Sequence, residues 1–375
     1  MAEPRSAAEF AEASAETELK FLISEESIAQ LSGHRALKSP EQSSRLRSIY
    51  FDTLDHALRD AGLSLRVREA DGSLMQTIKR RTSPGQVARD EWEQPIASAE
   101  PDRAGFARTP VARLLEEAAP DLQPLFVTDV NRSVRYWTQA DALIEISLDR
   151  GEVVAGTRRE PILELELELK RGSPAALFEL ARDLSQTAPL RLSFESKGER
   201  GYRLAGHDGI IAYKADAAQV GSGQPTAEAL QAIARSCLSQ LLANADQFLR
   251  RRNPEALHQL RIGLRRLRAA MSTFKSLLGD AQSQHLKAEA KWLSGELNAA
   301  RDLDVFLQDT LRPEEQAREH PAELEPLAKW LALAQAKAYD RAFAALESPR
   351  FSALVLEVAA WTEVGAWASP AEPEA

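Results

Sequence analysis

Cysteine is nearly absent from this 375-residue chain: Cys237 stands alone, so no intrachain disulfide framework can form, and a reducing cytoplasm is the expected setting. The first fifteen residues, rich in Ala and Glu, have no apolar segment of the kind that marks a secretory signal. No run of about 18 apolar residues occurs, so neither a transmembrane helix nor membrane association is expected. No short internal repeat is visible. There is no serine–histidine or cysteine nucleophile arrangement, and His34 and His56 fall in loop or helix contexts that read as non-catalytic. A Gly-rich phosphate loop is also missing; Ser83-Pro84-Gly85 reads as a turn. There is no excess of positive charge. The net charge is −9, which argues against general nucleic-acid binding while leaving room for local basic sites.

The chain does contain enough apolar residues, 44 %, for a substantial core, and its length fits two domains. Two periodicities divide it. Up to about residue 204 the pattern has mostly period two, with strands expected at 17–23, 45–51, 64–68, 74–79, 89–95, 133–138, 142–149 and 161–170. Short helices are expected at 24–31, 110–118 and 174–186, each opening on Ser or Pro. Residues 206–225 read as a linker. Beyond Pro225 the period becomes 3.6, and helices are expected at 226–250, 254–278, 282–310, 324–347 and 352–367. An antiparallel α+β domain followed by an all-α bundle is the expected architecture.

Side chains two apart on a strand share a face. Glu16, Glu18 and Lys20 therefore lie opposite Leu19 and Phe21; Arg66 and Arg68 lie opposite Leu65 and Val67; Lys79 lies opposite Ile78. Glu145 and Asp149 lie opposite Ile144, Ile146 and Leu148, and Glu164, Glu166, Glu168 and Lys170 lie opposite four leucines. A single such strand is what the solvated edge of any half-buried sheet looks like. Both charge signs recurring on several strands favour a barrel whose charged faces line a lumen. Like charges gathered there repel unless neutralised. A polyanion with divalent cations does this, with Arg and Lys on phosphate oxygens and carboxylates on hard cations.

The run Glu16-Thr17-Glu18-Leu19-Lys20 resembles the ExExK signature of the CYTH superfamily, the triphosphate tunnel metalloenzymes. Residues 45–68, RLRSIYFDTLDHALRDAGLSLRVR, look like the family's YxDT…LRxR stretch. Gln76–Lys79, Arg89–Glu93, Leu148–Glu152, Glu164–Lys170 and Ser196–Tyr202 follow in the family's order. The resemblance implies a domain at 14–205 with an eight-stranded antiparallel β tunnel, surrounding helices, and Mg²⁺ or Mn²⁺ as cofactor. Carried over by position, it implies Glu16, Glu18, Glu164 and Glu166 as metal carboxylates, with Glu168 an alternative within its run. Asp149 and Glu145 are implied as supports for a second cation. It implies Lys20, Arg66, Arg68, Lys79, Arg132 (or Arg135), Lys197 and Arg200 as phosphate binders, with Lys170 a further candidate. Lys20 and Glu18 are the implied catalytic pair, orienting the phosphate or water and holding the metal that activates the water.

In the helical half, His258, Arg261, Arg265 and Arg268 are spaced 3, 4 and 3 and share one helix face beside a stripe of Leu257, Leu260, Leu264 and Leu267. Such a face is either solvated and paired with acids such as Asp302 and Asp304, or a surface for a phosphate polymer. The segment, with Ala300-Arg301-Asp302-Leu303-Asp304-Val305, resembles the CHAD domain, which is α-helical and associated with polyphosphate. The resemblance spans 226–368 and covers the first half of that domain; a second basic half is not found. The pairing implies an inorganic triphosphatase cleaving tripolyphosphate to pyrophosphate and phosphate, with polyphosphate as a possible second ligand. The alternatives are a class IV adenylyl cyclase or other organic triphosphatase (thiamine triphosphate or nucleotide), and a non-catalytic polyphosphate-binding protein.

Overall fold

The computed structural model describes residues 17–80, 90–207, 212–215, 217–318 and 321–368. Glu16 and the expected turn at 83–85 lie outside the described residues. The chain divides into two compact units, Met1–Gly209 and Ile210–Ala375.

The first unit carries β1 (Thr17–Leu22), β2 (Gln42–Asp52), β3 (Leu63–Ala70), β4 (Ser73–Arg80), β5 (Asp90–Ile96), β6 (Gln123–Gln139), β7 (Ala142–Ala155), β8 (Arg158–Arg171) and β9 (Arg191–Leu192). They form one antiparallel sheet in the order β5-β4-β3-β2-β6-β7-β8-β1-β9. Among the described residues the strands therefore number nine rather than eight. The ninth is a two-residue pairing of Arg191 and Leu192 with Leu22 and Phe21, too short to show a period. At the β3–β4 hairpin Asp71 and Gly72 both take positive φ, 48° and 76°, the geometry that suits a right-twisted hairpin. β6, β7 and β8 run beyond their expected limits because cross-strand pairing, 127–139 with 142–154 and 143–155 with 158–171, carries the ladder past the period-two segments.

One face of the sheet is apolar. Leu65, Val67, Ile78 and Trp92 join Phe106, Val111 and Leu115 in a buried cluster; Leu115 lies on α3 (Ala112–Ala118). Against β8 and β1 lies α4 (Pro174–Thr187), which buries Leu177, Leu180, Ala181 and Leu184. Its start is set by Ser173, whose side chain accepts from Ala175 N, with Pro174 at the first helical position. Ser24 caps α1 (Glu25–Leu31) in the same way. The four-residue α2 (Ala57–Asp60) hangs on one carboxylate. Asp52 Oδ1 accepts from Thr53 N and Leu58 N, and Oδ2 accepts from Arg59 N and from the Tyr202 hydroxyl at 2.7 Å. Tyr202 ends α5 (Lys197–Tyr202), which starts with a Ser196–Glu199 capping box.

The opposite face carries the charges, yet Lys20, Arg66, Asp149 and Glu164 are all buried. A flat open sheet would leave them in water; their burial means this face is concave and covered.

The second unit is helical: α6 (Thr226–Arg251), α7 (Pro254–Thr273), α8 (Ala281–Phe306), α9 (Arg312–Ala317), α10 (Glu325–Glu347) and α11 (Pro349–Val364). α11 begins three residues before its expected start because Ser348 caps it, accepting from Phe351 N. The leucine stripe of α7 is buried in full.

Candidate active site

Strand register builds the site. Across β6, β7 and β8, Arg132, Asp149 and Glu164 are directly paired in one row. One step along, Glu166 pairs with Lys20 of β1 on one side and Ser147 of β7 on the other. Carboxylate oxygens of Asp149, Glu164 and Glu166 come within 4.8 Å of one another. Three cations meet them. Arg132 donates twice to Asp149, at 2.7 and 2.6 Å, and reaches Glu166 at 2.5 Å. Lys197, at the first turn of α5, lies 2.6 Å from Glu164, 2.7 Å from Glu166 and 2.8 Å from Asp149. Arg200 donates to Glu164 at 2.8 Å and to the Pro161 carbonyl at 3.0 Å.

Titration follows from these contacts. Burial opposes the Glu166 charge, but Lys197, Arg132 and Lys20 outweigh it and hold the carboxyl well below its usual range. Burial likewise opposes the Lys197 ammonium, and Glu166, Glu164 and Asp149 overcome it and keep the lysine charged.

β3, β4 and β5 form a second wall. Lys79 Nζ lies 2.6 Å from Glu91, Arg66 donates to Glu91 at 3.3 Å, and Arg68 donates to Ser48 Oγ at 3.3 Å. Burial and the neighbouring Arg66 push Arg68 down to about 10, so its charge is under-compensated and an anion is favoured beside it. Burial opposes ionisation of the Tyr50 hydroxyl, but the positive charges of Arg66 and Arg68 outweigh it and lower the hydroxyl's titration, and Arg66 Nε is buried without a partner. Tyr50 and Glu91 lie within the YxDT and Arg89–Glu93 stretches but carry no assigned role among the expected site residues. The Glu91/Glu93 alternation about Trp92 was the available signal.

The other expected residues fall as follows. Glu18 is half-buried across from Glu168. Lys20 donates to the Glu195 carbonyl. Glu145 does not join the three converging carboxylates; it accepts from Tyr136 at 3.0 Å and lies 3.5 Å from Lys170. Lys170 sits 2.6 Å from Glu168. Arg132 enters the site, whereas Arg135 pairs with Glu41 elsewhere. Glu16 lies outside the described residues.

The donor set fits a divalent cation. Carboxylate oxygens are the ligands hard cations take, and Mg²⁺ with ligands at about 2.1 Å spans oxygens up to about 4.2 Å apart, so a small closing of the three residues suffices.

In the helical unit, His258, Arg261, Arg265 and Arg268 of α7 line a cleft of about 480 Å³ with Ser294, Asn298, Arg301 and Asp302 of α8. Arg261 donates to Asn298 at 3.0 Å and lies 3.8 Å from Asp302. Asp304 does not pair with the basic face: it is buried and accepts from Tyr339 at 2.8 Å and Gln335 at 2.7 Å.

A charged, carboxylate-bearing antiparallel sheet followed by a helical unit with an arginine-lined cleft defines the class, and the family models agree. The chain belongs to the CYTH domain family, whose model matches residues 14–202, and the CHAD domain model matches residues 232–375. It is similar to an inorganic triphosphatase of Haemophilus influenzae, with 32 % identity over 200 residues covering 50 % of this chain and 54 % of that protein. It is also similar to an uncharacterised protein of Mycobacterium tuberculosis, 26 % identical over 312 residues, covering 78 % and 58 %. The chain thus spans little more than half the length of these curated relatives. Among solved structures, the CHAD domain from the plant Ricinus communis matches with 32 % identity, 41 % and 51 % coverage and a TM-score of 0.35. A putative adenylyl cyclase from Hippeastrum, described as having a dominant triphosphatase activity, matches with 20 % identity, 49 % and 95 % coverage and a TM-score of 0.38. No helix among the described residues is long and apolar enough to cross a membrane.

Proposed function

We propose that the strand-rich unit hydrolyses inorganic triphosphate to pyrophosphate and phosphate. The observation that carries this reading is the convergence of Asp149, Glu164 and Glu166 in a concavity that also holds Arg66, Arg68 and Lys79. Arg66, Arg68, Lys79 and Arg132 hold phosphate oxygens, and Lys20 orients the phosphate under attack. Asp149, Glu164 and Glu166, with Glu18 and Glu16, would hold Mg²⁺ or Mn²⁺. When bound, such an ion supplies charge neutralisation and Lewis acidity to the phosphoryl oxygens. Arg200, facing Glu164, positions that carboxylate rather than substrate. In the reaction, water oxygen bonds to the terminal phosphorus, the bridging P–O bond breaks, pyrophosphate leaves with the electron pair, and one water proton is released. Phosphoryl transfer needs chiefly position and charge, which this site supplies.

The helical cleft is assigned to longer polyphosphate, whose repeated charges suit spaced arginines. The domain limits are taken as 14–205 and 226–368, and the cytoplasm as the compartment; the Cys237 thiol is buried and pushed up to about 11, which leaves it unreactive.

The test offers tripolyphosphate, ATP, thiamine triphosphate and long-chain polyphosphate with Mg²⁺ or Mn²⁺ and measures phosphate, pyrophosphate and cyclic AMP. Preferential phosphate release from tripolyphosphate is expected. Cyclic AMP from ATP would replace the proposal with a cyclase, and binding without product would make the protein a polyphosphate carrier. Glu18→Gln is expected to abolish turnover with the fold intact by circular dichroism; a fully active variant would remove Glu18 from the site.

A further inference from the structure

The cations of the strand-lined site differ in what holds them. Arg132, Lys197, Lys79 and Arg66 each bond a carboxylate. The ammonium of Lys20, buried at 7 % exposure, instead donates to a main-chain carbonyl, that of Glu195. A carbonyl orients an ammonium without a full charge that would cancel the lysine's, and the ammonium keeps further N–H groups to offer a phosphate. A lysine stem is flexible, so the ammonium is placed only as firmly as its acceptor.

The acceptor is fixed from two sides. β9 pairs with β1 through Leu192 and Phe21, and just beyond it Ser193 N donates to the Lys20 carbonyl at 2.9 Å. Ser193 Oγ accepts from Glu195 N at 3.3 Å. The segment from Ser193 to Glu195 thus starts on the backbone of Lys20 and returns to its side chain. On the far side the Glu195 carboxylate accepts from Arg203 Nε at 2.9 Å. Arg203 is itself held by Glu160 through two bonds of 2.7 Å. Burial opposes the Arg203 charge, and Glu160 and Glu195 overcome it and keep the guanidinium charged. Only 19 % of the Arg203 side chain and 18 % of the Glu195 side chain are exposed, so water and salt weaken this pair less than a surface one.

We propose that Glu195 is a positioning residue for Lys20. Its carboxylate, gripped by Arg203, sets the place of its own carbonyl, and the carbonyl aims the ammonium at the phosphate. The inference rests on the triphosphate reading of the site, in which Lys20 meets the phosphate under attack, and adds what holds that lysine in place. Glu160 supplies the control. It grips the same Arg203 and lies 3.6 Å from Arg200, much as Glu195 lies 3.9 Å from it. Its main chain, however, is paired with Val153 of β7.

Tripolyphosphate binding is measured by calorimetry in chelator, apart from turnover, on the full chain and on its Glu195→Ala, Glu195→Gln, Glu160→Ala and Lys20→Met variants. A double variant joins Glu195→Ala to Lys20→Met. Glu195→Ala is expected to weaken binding about tenfold, yet to change it by less than about twofold in the Lys20→Met background, where the carbonyl has no ammonium to aim. Glu195→Gln, which can still bond Arg203, should bind within about threefold of the unmutated protein, as should Glu160→Ala. With Mg²⁺ or Mn²⁺ present, kcat/KM should fall in the same order, by about tenfold or more in Glu195→Ala, because a misplaced group costs most in the transition state. An equal loss from Glu195→Ala in both backgrounds, or a loss from Glu160→Ala as large as that from Glu195→Ala, overturns the proposal, since either would make Glu195 a structural residue only. If the unmutated protein does not cleave tripolyphosphate, the hydrolase reading falls, while the binding cycle still decides whether Glu195 acts through Lys20.

Discussion

Three carboxylates cannot share a buried site unless cations offset them. Lys197 touches all three, so it does in this structure what a divalent ion would otherwise do. Replacing it with Met keeps the aliphatic stem and removes the charge. Leaving buried carboxylates uncompensated costs about 3 kcal/mol or more, a fall in Tm of roughly 6–12 °C for a unit of this size. Lys197→Met is therefore expected to melt early in a chelator, and Mn²⁺ is expected to raise its Tm by more than it raises that of the unmutated protein. Equal metal shifts in the two proteins would show that Lys197 and the cation do not share a site. In the helical cleft the residue to watch is His258. Burial and Arg301 push its imidazole below the usual range, Arg261 and Arg265 add to this, and Glu255 opposes it. Asp302 is the acid facing the cleft from α8. Because the folded value is depressed, the contribution to stability is full above the unfolded value of about 6.5 and is lost as pH falls through it. A bound polyanion reverses the repulsion, so long-chain polyphosphate should take up protons near pH 6. Calorimetry in buffers of different ionisation enthalpy measures that uptake, which His258→Gln should abolish; an unchanged uptake would assign the protons elsewhere.

Among the elements, β8 was the most legible, because four charged residues alternate with four leucines and the register then places Glu164 and Glu166 beside Asp149 without further information. The α7 stripe was legible for the same reason at period 3.6. α5 was not. Six residues with glycines at 198 and 201 carry no helical period, and what makes them a helix is the Ser196–Glu199 capping box and the aromatic surface beneath. The same blindness hid the cluster beneath α5, since Phe126, Val130 and Val153 read as ordinary apolar residues until the fold brings them against Tyr50 and Tyr202. Asp52 was visible as part of a motif, but its work of holding α2 and Tyr202 depends on partners 7 and 150 residues away. α5 is therefore the element on which a small change should reach the site. Gly201→Ala sets a methyl group against the Phe126 ring, and the helix must shift at a cost of about 1–3 kcal/mol. Because Lys197 rides on the same helix, the variant should lose Tm and also raise KM for tripolyphosphate. Gly198→Ala, with 3.2 Å to Tyr50, should do less of both. A Gly201→Ala protein with an unchanged KM would mean that Lys197 is placed independently of the packing of α5 on Phe126.

At the scale of the molecule, a chain of net charge −9 should repel polyanions, so affinity must come from its two basic concavities, and these differ in depth. In the helical cleft Arg265 and Arg268 are exposed. In the strand-rich unit Lys20 and Arg66 are buried, at 7 % and 9 % exposure. Salt acts on exposed charges first. The Debye length falls from about 10 Å at 0.1 M to about 3 Å at 1 M, while buried pairs feel little of that change. Release of counterions from a long polyphosphate chain steepens the dependence further, as it does for other polyanions. Raising KCl from about 0.1 to 0.5 M is accordingly expected to weaken long-chain polyphosphate binding by about tenfold or more. Over the same range the KM for tripolyphosphate should rise by less than about threefold, since the site proposed for that ligand is lined by desolvated groups. The measurement is a pair of titrations on one preparation, polyphosphate binding by fluorescence anisotropy and tripolyphosphate hydrolysis by phosphate release. Parallel salt slopes would mean that one kind of exposed site binds both ligands, and would contradict the division of labour drawn between the deep strand-lined pocket and the shallow helical cleft.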